Sequence, residues 1–440
     1  MSATTYEISQ CFLALLLFLV VAHLCGALFQ KLKQPVVIGE ILGGILLGPT
    51  VLGQFFPDLL HNIFLNSALV KHVLSFSYSL GLILLLFTSG LEIERLFVQG
   101  QRRTSWALAL GGTFLPLICG LLLMSFVQFD YFIAERGSHF SLSFVLGCAA
   151  AVTSLPVLSR IFMELGILQT PFSRLVLTSA FIDDIILYLI MALIITFAQS
   201  KGESSFGVVG WIFTDASRLQ QSVISIFLQA AFAYLILMYG QKWLGRLSAG
   251  RWHFLIKRQI TATYLIFLLL TVLVGFLVSM PFMLSAFCAG VACAKLKGED
   301  VQNQESLKVF SLAFFVPLYF AIVGYRIHLS DGFPWLFTFF FIIFATLIKS
   351  SSIWVVAKLA RYSNQTALDL AITMNARGGP GIILASVAYD EKIITLPLFS
   401  SLVVLAILTS LFSGQWLRYR HRQSLLDLQL SQRKSLHEKS

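Results

Sequence analysis

The stretch LVLTSAFIDDIILYLIMALI, Leu175 to Ile194, reads as a membrane-spanning helix carrying two adjacent acids, Asp183 and Asp184. A carboxylate at the middle of a bilayer costs about 2.5 to 3.5 kcal/mol on insertion scales, so two in succession need a proton, an ion or a basic partner. Outward from this segment the chain keeps the same character. Apolar residues make up 57% of the 440 and charged residues 12%. Apolar runs about 20 residues long recur from Cys11 to Trp416, separated by short polar or Gly/Pro breaks. Continuous runs of that length imply helices rather than the shorter alternating segments of a barrel. No polar stretch is long enough to bury a core of its own. The expected fold class is an all-α polytopic membrane protein of about 13 transmembrane helices. Residues 1–417 form its transmembrane domain, and 418–440 a short basic tail.

A net charge of +10 would by itself admit nucleic acid as a partner, but most lysines and arginines fall on alternate connections and on the tail. That is the positive-inside pattern, with the N-terminus outside, the C-terminus cytoplasmic, the lipid bilayer as partner and no nucleic acid. The densest cluster, Lys242, Arg246, Arg251, Lys257 and Arg258, is expected to lie near anionic headgroups. Glu92 and Glu94, close to Arg95, Arg102 and Arg103, are expected to form surface ion pairs worth little. All six cysteines fall in apolar segments with no CxxC pair, and are expected to act as packing residues. No cleaved leader is expected at the first apolar run.

Two spans carry breaks. AAAVTSLPV, Ala149 to Val157, puts Thr153, Ser154 and Pro156 mid-span; MNARGGPGI, Met374 to Ile382, puts Asn375, Arg377, Gly378, Gly379 and Pro380 there. Proline removes an amide donor and glycine weakens a helix, so both spans are expected to unwind at these points. Free backbone at membrane depth survives only inside protein or along a wet cavity, and paired broken spans in corresponding positions point to a transporter's ion site. Fainter internal similarity supports an inverted repeat: Val37 to Ile45 echoes Met283 to Val291, and Leu86 to Ile93 echoes Tyr319 to Ile327.

Neighbours on a helix point about 100° apart, so Asp183 and Asp184 are expected to divide their work. One faces the breaks and exchanges a proton for a cation; the other needs a basic partner or stays protonated. Lys349 lies about ten residues from the nearer end of its span, too deep to snorkel, and is the expected partner.

The sequence resembles the monovalent cation:proton antiporters of the second cation-proton antiporter group, the bacterial sodium/proton exchanger type. The resemblance rests on Gln34 to Pro49, Leu84 to Glu92, Thr153 to Arg160, Phe181 to Asp184 and Ala376 to Gly379, in family order over nearly the whole chain. It implies two crossing discontinuous helices, a dimerisation part and a core part, and a homodimer in the cell (inner) membrane. It implies that Asp184 is the cation and proton site, that Asp183 pairs with Lys349, and that Thr153 and the neighbouring Ser154 sit beside the ion. The implied activity is exchange of Na+, or Li+ or K+, for H+ by alternating access, electrogenic where an acid pair is present. Arg377-Gly-Gly-Pro stands where many relatives carry Arg-Gly-acid, which leaves the role of Arg377 open.

No cofactor is expected beyond the transported Na+ or K+ and H+, and no GxxxxGK[ST] motif for ATP occurs. A potassium/proton antiporter or a cation channel of the same fold is the alternative, although a channel favours symmetric rings of ligands. An intramembrane aspartyl protease needs two acids converging on one water, and sequence neighbours on a helix diverge. Glu40 is expected to serve packing or a vestibule, and His23 to be hydrogen-bonded structure.

Overall fold

The computed structural model describes residues 4–91, 102–126, 130–199, 218–249, 260–294, 300–329 and 332–422. Outside them lie Glu92, Glu94 and Arg95, the basic-cluster residues Arg251, Lys257 and Arg258, and the tail beyond Arg422. The described residues are almost entirely helical, with a single isolated antiparallel bridge between Ile133 and Ile394.

Among the described residues ten helical stretches are long and apolar enough to cross a membrane, where about thirteen were expected. The difference has a local cause. Thr261–Leu277 and Phe282–Ala294 are apolar but shorter, and the remaining expected span is cut into Asn364–Thr373 and Gly378–Asp390. Many large apolar side chains on these helices face outward, such as Phe12 at 70% and Phe227 at 72% exposure, as a chain solvated by lipid tails requires.

The chain divides into two compact units. The first comprises Met1–Cys25, Glu40–Arg95 and Ala192–Arg326. Small residues let its helices approach backbone to backbone. A Cβ on Gly44 would stand 1.8 Å from Ala321 O and one on Gly324 would stand 2.0 Å from Ile41 O, which binds Val36–Leu47 to Val316–Tyr325. A Cβ on Gly90 would stand 2.5 Å from Phe287 O and one on Gly290 would stand 2.2 Å from Phe87 O, which binds Ala68–Leu91 to Phe282–Ala294. The repeat seen in the sequence sets Gly44 against Gly290 and Gly90 against Gly324, so it carries one contact onto the other. A two-fold relation between repeats has that consequence. Glu40 is buried in this unit, and His23 Nε2 lies 2.9 Å from Ala313 O.

The second unit comprises Gly26–Gly39, Leu96–Met191 and Ile327–Ser440. It holds both broken spans. His139–Ala151 starts on a capping box between Ser138 and Ser141 and stops where Val152 turns extended. Leu155–Glu164 then restarts on Ser154, whose hydroxyl caps the Val157 amide. Asn364–Thr373 starts on the Ser363 cap, and Gly378–Asp390 begins at a glycine with φ +34°. The breaks are thus Val152–Ser154 and Met374–Arg377, narrower than the sequence implied. Pro156 sits in the first turn of its half-helix and Pro380 is the third residue of its own, so both lie just after the breaks rather than in them, as do Gly378 and Gly379. In a first turn the missing amide has no intrahelical partner to lose, so proline there restarts a helix.

At the far end of these half-helices, the loop before His139 is stitched to the loop after Asp390. Ala134 N donates to Ile393 O, Arg136 N donates to Lys392 O, and Lys392 Nζ lies 2.8 Å from Glu135. The last helix, Leu396–Arg422, runs past the expected boundary at residue 418. Arg420 is buried against Asp369, which keeps residues 418–422 in the helix rather than in a tail.

Candidate functional site

Every group of the site belongs to the second unit. Its frame is the crossing of the two breaks. Ser154 N donates to Ala376 O, and Thr153 Oγ1 lies 3.1 Å from Met374 O. Gly378 allows this approach, because a Cβ there would stand 2.5 Å from Val157 Cγ2 and 2.6 Å from Ser154 Oγ.

A helix that stops inside the membrane leaves its last four carbonyls without intrahelical donors and concentrates negative potential at that end. For His139–Ala151 all four are accounted for. Cys148 O accepts the Val152 amide. Arg377 donates from Nε to Ala149 O at 2.9 Å and from Nη2 to Ala150 O at 3.0 Å. Lys349 Nζ donates to Ala151 O. The role left open for Arg377 in the sequence is therefore filled by geometry. The guanidinium is fully buried and also reaches Ala345 O and Asn375, and it caps one broken span from the break of the other. Asn375 is held by Ser350 and by Ala371 O.

Lys349 has two further partners. Its Nζ lies 3.1 Å from Asp183 Oδ2 and 3.0 Å from Gly112 O. That last carbonyl is available because Pro116, inside Arg102–Phe126, has no amide to offer the residue four positions earlier. Thr113, one position along, sets its hydroxyl 2.8 Å from Asp183 Oδ1. Neither the role of the Gly112 carbonyl nor Thr113 was read from the sequence, although a proline mid-span one turn beyond them is the signal that marks the freed carbonyl.

The two acids differ sharply. Asp183 is fully buried and both its oxygens are engaged, Oδ1 by Thr113 and Oδ2 by Thr153 at 2.8 Å and by Lys349. Asp184, one helical step round, keeps 7% of its surface accessible, and its buried Oδ1 has no hydrogen-bond partner. Thr153, expected beside the ion, is spent on Asp183 and Met374, and Ser154 on the helix cap. Gly379 and Pro380 are buried in the first turn of their half-helix. Among the described residues no group of three or more His, Cys, Asp or Glu is placed to hold a metal ion.

A family model described as "Sodium/hydrogen exchanger, transmembrane" matches residues 19–419. A Na(+)/H(+) antiporter, NhaS4, of Synechocystis is 26% identical over 400 residues, covering 89% of this chain and 92% of that protein. A K(+)/H(+) antiporter of Saccharomyces cerevisiae is 26% identical over 90% of this chain, which spans 44% of the yeast protein. Among solved structures, the sodium proton antiporter MjNhaP1 of Methanocaldococcus jannaschii shares the fold, with a TM-score of 0.61 at 15% identity, over 95% of this chain and 99% of that one.

Proposed function

The chain belongs to the transmembrane sodium/hydrogen exchanger family, and from that premise we propose that Asp184 is the carboxylate at which it exchanges a monovalent cation for protons. The observation that carries the reading is the contrast between the acids: Asp183 is held by two hydroxyls and an ammonium, whereas Asp184 Oδ1 is buried without a partner. A carboxylate so placed is stabilised by a proton or by a cation, and binding of one releases the other. The site opens to one side of the membrane at a time, so ions that exclude each other there cross in opposite directions. Asp183 stays ionised against Lys349 and keeps that ammonium charged. Lys349 and Arg377 hold the negative end of the broken helix and repel a cation that strays from Asp184.

The transported cation is Na+, with Li+ and K+ as the competing cargoes, and exchange is electrogenic, as the acid pair implies in the family resemblance. The protein works as a homodimer in the cell membrane, with its N-terminus outside and its C-terminus cytoplasmic. Potassium/proton exchange is the second reading, supported by the yeast relative, which is as similar as the cyanobacterial one.

Proteoliposomes carrying a pH-sensitive dye test this directly. Na+, Li+ or K+ added outside should drive saturable proton movement at two pH values, and clamping the membrane potential should change its rate. Asp184→Asn should abolish exchange in a chain that still purifies as a folded protein. Retained exchange in that variant removes Asp184 from the site, and a large uncoupled current favours a channel.

A further inference from the structure

We infer that Asp369 and Arg420 are positioning residues for exchange, through a brace that the last helix, Leu396–Arg422, lays along the second broken span; the inference rests on the proposed exchange at Asp184. Four residues of that helix at three- and four-residue spacing, Ser410, Ser413, Trp416 and Arg420, form one face. Each contacts the broken span. Ser410 Oγ accepts the Gly378 amide at 2.8 Å, on one lip of the break. Ser413 Oγ donates to Ile372 O at 2.8 Å, on the other lip. Below it, Trp416 Nε1 donates to Asp369 Oδ1 at 3.0 Å, while Arg420 grips the same carboxylate through Nε at 2.9 Å and Nη2 at 2.8 Å. Asp369 is 1% exposed and Arg420 7%.

Ser410 serves a first-turn amide that a broken helix leaves without an intrahelical partner, and Ser413 adds a hydroxyl donor to Ile372 O, which also accepts the Asn375 amide at 3.2 Å. The bidentate pair does something else. It fixes the half-helix Asn364–Thr373 along its own axis, because two parallel charge-assisted bonds define a plane and a height where one hydroxyl defines neither. From Asp369 the half-helix runs five residues to Met374, whose carbonyl lies 3.1 Å from the Thr153 hydroxyl, which in turn lies 2.8 Å from Asp183. Asp183 sits one step from Asp184 on Pro171–Gln199. The height set at Asp369 is thereby transmitted to the oxygen atoms around the acids. Two residues before Arg420, Arg418 Nη2 reaches Glu164 Oε2 at 3.1 Å, at the end of the other half-helix, so the same turn of the last helix touches both broken spans.

The test uses the full chain as wild type, Asp369→Asn, Arg420→Lys and Trp416→Phe, the last removing one hydrogen bond only. In proteoliposomes Asp369→Asn should raise the sodium KM roughly tenfold with Vmax within roughly twofold of wild type, Trp416→Phe should give a smaller shift in the same sense, and Arg420→Lys should fall between them. Hydrogen exchange, which needs no transport, should show faster exchange at the amides of residues 374–378 while the amides of Leu155–Glu164 stay unchanged. A lowered melting temperature with unchanged KM in all three variants makes the cluster merely structural and overturns the inference, as does unchanged exchange at the break. If the wild-type chain exchanges no cation, the proposed function falls, and hydrogen exchange alone then decides whether the brace sets the break.

Discussion

Replacing Lys349 by Met removes the ammonium while keeping most of the stem that fills its site. Three acceptors lose a donor: Asp183 Oδ2 at 3.1 Å, Gly112 O at 3.0 Å and Ala151 O. Both members of the ion pair are fully buried, and removing one partner of a buried pair costs about 3 to 5 kcal/mol because an uncompensated charge stays behind. Asp183 keeps the Thr113 and Thr153 hydroxyls, each at 2.8 Å, which places the expected loss near the low end, about 3 kcal/mol. Asp183→Asn should cost a similar amount, since the ammonium is then left with carbonyl partners alone. The double variant removes both charges together. It should cost about as much as one single variant, a coupling of about 3 kcal/mol. Unfolding free energies from SDS titration of the four proteins in mixed micelles measure that coupling. A double variant lying at the sum of the singles to within about 0.5 kcal/mol would refute the assignment of Asp183 to Lys349, and with it the reason for giving the ions to Asp184.

Two further outcomes follow from single contacts. Gly378→Ala places a Cβ 2.5 Å from Val157 Cγ2 at a residue with φ +34°; overpacking together with left-handed strain should destabilise the chain by about 2 to 4 kcal/mol. An unchanged melting temperature in detergent would mean that the breaks do not meet there. Glu135 is exposed and paired with Lys392, whose hydrogen bond and charge hold its carboxyl below the usual carboxylate range. A lowered folded-state value stabilises above the unfolded-state value and is lost as pH falls through the folded one. Melting curves of wild type and Glu135→Gln should therefore coincide in acid and separate only slightly at neutral pH, in keeping with a surface pair; a gap that widens in acid contradicts the sign.

What could be read along the chain was what depends on local composition. The lipid-facing length of the spans, the anomaly of two acids in one of them and the presence of two breaks all follow from residues within a few positions of one another. The break positions were legible only approximately. Pro156 and Pro380 mark where a half-helix restarts, so reading proline as the point of interruption displaces each break by a few residues. The end of the last helix was hard to place for a related reason: Arg418 and Arg420 look like solvated charges in sequence, whereas the structure sets them against Glu164 and Asp369, far away along the chain.

By itself the sequence determined that the chain lies in a membrane, that Asp183 and Asp184 need compensation, and that Lys349 and Arg377 are deep enough to matter. Tertiary structure decided which charge answers which. It gave Asp183 the ammonium and two hydroxyls and left Asp184 Oδ1 without a partner; it sent Arg377 to carbonyls instead of to an acid; and it turned Gly112 O into a lysine ligand through Pro116. The physical reason is one of range. Burial of apolar length and the weakening of a helix act within a span, whereas hydrogen bonds and ion pairs in low dielectric are fixed by where distant spans bring single atoms to within about 3 Å.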